Sequence, residues 1–189
     1  LIAGKRADDG ASAPTLASVL PVALDDTATP RARSAALGTM LAALGPVPSL
    51  LARRTRVLLS MPSEAAEGLS VARAFARHVP LSPEATIAWF GAAGISGDPE
   101  QLADAAVAAV HSLASARDAA GVVRAAVGRL AAARDFSSAS RVAREAAEAL
   151  GLADRGLRNA LVEFAQRQPD PQVAIELLVS TVSSGPTAS

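Results

Sequence analysis

The chain has 189 residues, half of them hydrophobic and 46 of them Ala, with 18 basic side chains against 18 acidic ones. That length suits one or two domains, and the hydrophobic content with zero net charge excludes general disorder. The absence of Cys excludes disulfides, thiolate metal sites and cysteine nucleophiles, while four Phe, one Trp and no Tyr favour closely packed helices over sheets.

The sequence opens Leu1-Ile2-Ala3-Gly4 without an initiator Met, as expected of a processed protein or an excised part of a longer one. Residues 1–12 are expected to be a linker or disordered, and no secretory signal is visible. Seventeen Arg against the single Lys5 suggest a GC-rich coding genome. Apolar runs are broken well short of the roughly 18 to 20 residues of a membrane span, so a soluble intracellular chain of cytoplasm or organelle matrix is expected.

Helix starts recur along the chain. A Pro in the first turn loses no needed hydrogen bond, and a preceding Ser, Thr or Asp caps the free amides. Such pairs are Thr29-Pro30, Ser82-Pro83, Asp98-Pro99 and Asp170-Pro171, with a looser version at Ser12-Ala13-Pro14. Gln101, three residues after Asp98, has the spacing of a capping box. These marks predict helices over about 13–24, 30–43, 48–60, 63–79, 83–95, 99–116, 118–133, 136–150, 154–167 and 171–183, and no strand. In the sixth, Leu102, Ala106, Val110 and Leu113 share one face, opposite Gln101, Asp104 and His111. In the eighth, Ala139, Val142, Ala146 and Leu150 face inward; Arg141 to Glu145 and Arg144 to Glu148 are four apart, each pair worth about 0.3 kcal/mol on a solvated face.

Odd-numbered and even-numbered helices both start about 35 residues apart, which makes five antiparallel hairpins over residues 13–184, a single all-α domain followed by a tail at 185–189. The predicted architecture is a right-handed α-solenoid, with a globular helical bundle as the alternative. Ala109, Ala139, Ala146 and Ala174 recur in the second helices of the later units, Gly97-Asp98 and Arg134-Asp135-Phe136 mark turns, and Pro186 stands near the end. With these residues the chain resembles the tetratricopeptide and pentatricopeptide repeat families. It departs from the first at Phe90, Val127 and Val162, where a small residue belongs. Pentatricopeptide repeats imply a base-reading position near the start of each first helix; Ile87, Arg124 and Asn159 fall there, and only Asn159 suits it.

Terminal units of a solenoid normally carry a polar capping face. Here the first helix holds Thr15-Leu16-Ala17-Ser18-Val19-Leu20 with no charge and an internal Pro21 that should kink it, and the last has only a narrow polar stripe of Gln172, Glu176, Ser180 and Ser183. The expected partners are therefore further repeats of a longer chain or another protein, covering at least one end.

Between residues 27 and 63 stand Arg31, Arg33, Arg53, Arg54 and Arg56 with no acidic residue, a candidate basic patch for phosphates or an acidic protein surface; the alternative is a solvated face. No aromatic residue interleaves them to stack on bases. Trp89 beside Phe90 is a candidate partner anchor, with core packing as the alternative. His78 closes the fourth helix against its dipole. Asp104 and His111 lie about 10 Å apart by helical rise, too far to bond directly. Gly91-Ala92-Ala93-Gly94-Ile95-Ser96-Gly97 lacks the strand and the Lys-Ser/Thr of a phosphate loop and reads as a helix end entering the Asp98 cap. Gly121, Ala125 and Gly128 form a small-residue stripe, read as a close helix contact.

No catalytic group, metal site or cofactor motif is identified. The expected function is a non-catalytic scaffold or adaptor within a larger assembly, its partner resting on Ala-lined first helices and on Arg53, Arg54 and Arg56. The alternatives are a structural RNA-associated protein of an organellar ribosome or RNA-processing complex and, third, a helical enzyme or small-ligand domain with a pocket near Trp89 or His111.

Overall fold

The computed structural model describes residues 15–183, and among them the chain is all-helical with no strand. The helices are α1 (Leu16–Leu24), α2 (Pro30–Leu44), α3 (Pro48–Leu59), α4 (Ala65–His78), α5 (Pro83–Ser96), α6 (Pro99–Ser112), α7 (Ala116–Ala132), α8 (Phe136–Leu150), α9 (Arg155–Ala165) and α10 (Pro171–Ser183). A 3-10 turn over Pro62–Glu64 leads into α4, where the sequence pattern predicts continuous helix. The expected linker and tail, the Ser12-Ala13-Pro14 start and Pro186 lie outside the described residues.

The caps explain why the boundaries were legible. Thr29 Oγ1 accepts from the Ala32 amide at 3.3 Å, Ser82 Oγ from Ala85 at 3.4 Å, and Asp170 Oδ1 from Gln172 at 2.9 Å. Asp98 Oδ1 accepts from both Glu100 and Gln101, at 3.0 and 3.2 Å. Each bond satisfies an amide that the first helical turn leaves without a partner. The expected capping box is nevertheless only half formed: the Asp98 amide donates to Ser96 Oγ, and Gln101 Oε1 is buried with no hydrogen bond. At the far end of α5, Gly97 takes a left-handed φ of 74°, which lets the chain reverse into α6. Arg134 adopts φ 61° in the tight turn between α7 and α8, a conformation that costs more for a residue with a Cβ.

Ala sets the packing distance. Ala103, Ala105, Ala106 and Ala109 of α6, Ala119 and Ala126 of α7, and Ala139, Ala143 and Ala146 of α8 are all fully buried. All of them but Ala119 belong to one large apolar cluster that also takes in Leu130, Val142, Leu157, Leu161 and Phe164 and reaches from Ala93 to Leu177. Two smaller clusters serve the earlier helices, one around Leu51, Leu58 and Phe75 and the other around Ala23, Leu37 and Met40. The inward faces predicted for α6 and α8 are the buried ones, with Leu113 and Leu150 half-buried at their ends. The stripe Gly121, Ala125 and Gly128 is the reverse of its predicted role: all three are exposed, and a Cβ added to either glycine would meet nothing. The buried face of α7 is instead Ala119, Val122, Val123, Ala126 and Leu130.

Every substantial helix contact joins neighbours one or two places apart in the chain. Consecutive helices pack against each other, except that α9 rests on α7 rather than on α8. Among helices two apart, α6 meets α8, α7 meets α9, α3 meets α5 and α8 meets α10, whereas α4 does not pack on α6 in this way. The buried Thr86 hydroxyl shares a 2.6 Å hydrogen bond with Ser112 Oγ and ties α5 to α6. Between later helices Gln168 Nε2 donates to Ser140 Oγ at 2.8 Å.

Candidate partner-binding surfaces

The five early arginines do not form one open basic patch. Each meets a carboxylate supplied by an element outside the acid-free segment. Arg33 and Arg53 share Asp26 at 2.8 and 3.4 Å, and Arg53 also donates to the Leu24 carbonyl at 3.2 Å. Arg56 reaches Glu84 of α5 at 3.3 Å. On the opposite side of α3, Arg31 lies 3.7 Å from Glu64 and Arg54 pairs with Glu67. The arginines therefore divide between two grooves. Arg33, Arg53 and Arg56 line one of about 360 Å³ with Asp26 and Ser60, and Arg31 and Arg54 line another of about 250 Å³ with Glu64 and Glu67. Segment composition missed these partners because Asp26 and Glu64 flank it by one residue and Glu84 comes from a later hairpin.

Trp89 is half-buried and packs against both the large cluster and the Leu51-Leu58-Phe75 cluster, so it sits where two parts of the core meet. Its indole Nε1 is buried with no hydrogen bond. Phe90 packs against the large cluster alone.

Asp104 and His111 are indeed not joined to each other; both reach across to α8. Arg141 Nη2 donates to Asp104 Oδ1 at 2.8 Å, and His111 Nε2 stands 3.2 Å from Glu145 Oε2. Arg141 and Glu145 thus pair with α6 rather than with each other as their spacing suggests, and no ion pair joins Arg144 to Glu148. These contacts close the even-helix face between α6 and α8. The partly exposed geometry keeps each at roughly 0 to 1 kcal/mol.

One hairpin earlier the same face is open. A groove of about 540 Å³ runs between α4 and the start of α6, with Arg73, Arg77 and His78 along it and Asp98 and Gln101 at its far wall. Neither Arg73 nor Arg77 is in an ion pair among the described residues. Sequence reading overlooked this cluster because attention to charge followed the acid-free segment, although Arg73 and Arg77 stand four apart and so share a helix face.

The two ends bear out the sequence pattern at the level of exposure. Leu16, Leu20 and Leu24, spaced by four, are 38%, 43% and 52% exposed along the outside of α1. Ile175 and Val179 are 53% and 56% exposed on α10. Among the described residues no group of His, Asp or Glu is arranged to hold a metal ion, and no helix is long and apolar enough to cross a membrane.

These features define an all-α protein built from consecutive helix hairpins whose recognisable surfaces are grooves and end faces. In comparison with known proteins, the chain matches no family model, no curated protein sequence and no solved structure.

Proposed function

We propose that the chain is a non-catalytic helical-repeat scaffold, a right-handed α-solenoid of five hairpins of the tetratricopeptide or pentatricopeptide kind, that holds protein partners inside a larger assembly. The observation that carries this reading is the locality of its contacts: each helix packs on neighbours one or two places away, the pattern of a stacked array rather than of a closed bundle. The spacing supports it: α2, α4, α6, α8 and α10 begin at Pro30, Ala65, Pro99, Phe136 and Pro171, steps of 34 to 37 residues, and α1, α3, α5, α7 and α9 begin at Leu16, Pro48, Pro83, Ala116 and Arg155, less even steps of 32 to 39. Exposed apolar faces on α1 and α10 add a reason for partners at the ends, where stacking surfaces are left uncovered.

Solution scattering tests the architecture. A compact globule of this length has a radius of gyration near 16 Å; the stacked array predicts a clearly larger value and an elongated distance distribution, and a compact profile refutes it. The end faces are tested by Leu20→Glu with Ile175→Glu. The double variant should lose self-association or partner capture that the unaltered chain shows, and a chain monodisperse at high concentration without partners counts against covered ends. The RNA-associated reading draws less support, because Arg31, Arg33, Arg53, Arg54 and Arg56 already face carboxylates. It requires salt-sensitive RNA binding that Arg53→Ala with Arg54→Ala weakens.

A further inference from the structure

We propose that the groove between α4 and α6 docks an acidic, helix-forming segment of a partner protein; this rests on the scaffold reading and names the chemistry of one partner. The neighbouring pair of even-numbered helices, α6 and α8, shows how such a face is covered within the chain. There α8 seats on α6 through buried Ala106, Ala109, Val142 and Ala146, and the seam is finished by Asp104 with Arg141 and His111 with Glu145. One hairpin earlier, α4 likewise presents small side chains beside charged ones, but α6 does not pack onto it.

Along α4 the groove is lined by Ala66, Leu69, Ser70 and Ala74, small apart from Leu69, and by Arg73, Arg77 and His78. From Ala66 to His78 the groove follows α4 for about 18 Å, room for three turns of a second helix. The charges along it are unmatched. Arg73 Nε is buried with no hydrogen bond, as are the Nε atoms of Arg33, Arg53 and Arg54, but in those three the terminal nitrogens reach carboxylates. For Arg73 and Arg77 no carboxylate does so. The only acid in the lining, Asp98, directs Oδ1 at two amides of α6. Gln101 Oε1 at the far wall is likewise buried and unbonded, an acceptor suited to an amide or hydroxyl donor.

Two cations four residues apart match carboxylates four residues apart on a facing helix, each able to form a charge-assisted bond to a guanidinium. The small Ala66, Ser70 and Ala74 beside them let the backbone of such a helix approach, and Leu69 gives its Ala or Leu side chains an apolar contact. Nucleic acid fits less well, since no Phe, Tyr or Trp ring lines the groove for bases to stack on.

The test is a selection of displayed 16-residue helix-forming peptides, randomised among Glu, Gln, Lys, Arg, Ala and Leu, on the immobilised full chain. The expected winners carry Glu pairs four apart beside Ala or Leu. Arg73→Gln with Arg77→Gln should weaken their binding at least tenfold, while Arg117→Gln with Arg155→Gln, a control of equal charge, leaves it within twofold. Arg77→Glu should shift the selection toward Lys or Arg, and unchanged circular dichroism would verify folding of each variant. Winners without acidic pairs, no winners, or winners indifferent to Arg73 and Arg77 overturn the proposal. So does a uridine oligomer that binds through the same two arginines more tightly than any selected peptide. Scattering and the end-face variants do not touch α4, so loss of this groove leaves the scaffold reading standing or falling on its own measurements.

Discussion

The early and late halves of the chain are both built from packed helices, and their apolar cores are organised differently. From the end of α5 to α10 one continuous apolar cluster runs through the fold, and helices two apart interlock. From α1 to α5 the core is split into two small clusters, flanked by ion pairs of Arg31, Arg33, Arg53, Arg54 and Arg56, of which Arg31 and Arg56 are largely exposed. Trp89 spans the boundary. Helix packing is close in both halves, but in the late half buried Ala lets one apolar cluster run through several helices, whereas in the early half the apolar contacts stay in two separate groups, and the ion pairs beside them are ones that water and salt weaken.

The largest expected effects separate the halves directly. Leu161 and Leu37 are both fully buried, and Leu→Ala at either should cost about 2 to 5 kcal/mol in urea denaturation. Hydrogen exchange should then show where the loss falls: Leu37→Ala should deprotect α1 to α3 while α7 to α9 keep their protection, and Leu161→Ala should deprotect α7 to α10. Equal deprotection of α7 to α9 by Leu37→Ala would mean that the chain unfolds as one unit and would dissolve the contrast.

Trp89→Ala comes next, at about 2 to 3 kcal/mol, below the value for a fully buried ring because Trp89 is only partly buried. Its signature is a single unfolding transition that separates into two; a transition that merely moves to lower denaturant shows that other contacts carry the coupling. Smaller losses, about 1 kcal/mol each, are expected for Gly97→Ala, which places a Cβ at φ 74°, and for Asp98→Ala, which frees two amides at the start of α6. Thermal melts should show both, and a neutral Asp98→Ala would mean that Ser96 takes over the cap.

The smallest effect is a pH dependence in the early half. Asp25, fully exposed, is held below the usual aspartate range first by the Thr27 hydroxyl at 2.7 Å, then by the Thr27 amide at 2.8 Å. Because the folded value is the lower one, its contribution is complete above the ordinary aspartate value and is lost as pH falls through the folded value. Thr27→Ala should slightly flatten the fall in melting temperature on acidification; an unchanged slope would remove Asp25 from the account.

Much of this architecture was legible in local chemistry. Thr29, Ser82, Asp98 and Asp170 cap the helices that their Pro neighbours announce, because capping and proline geometry act within three residues. The inward faces of α6 and α8 followed from helical periodicity, which requires no knowledge of what they meet. Gly121 and Gly128 show the limit of such reasoning: small size permits close approach, and whether anything approaches depends on the placement of α9.

The sequence by itself determined the helical content and most helix starts, since these arise from interactions within a turn or two of helix. Only the tertiary structure decided how charge is distributed. Arg33, Arg53 and Arg56 find Asp26 and Glu84, Arg141 and Glu145 leave each other for α6, and Arg73 and Arg77 are left facing an open groove. Zero net charge counts these side chains equally. Their separate roles follow from which helices stack closely enough to bring opposite charges within 4 Å, and that is set by packing across hairpins.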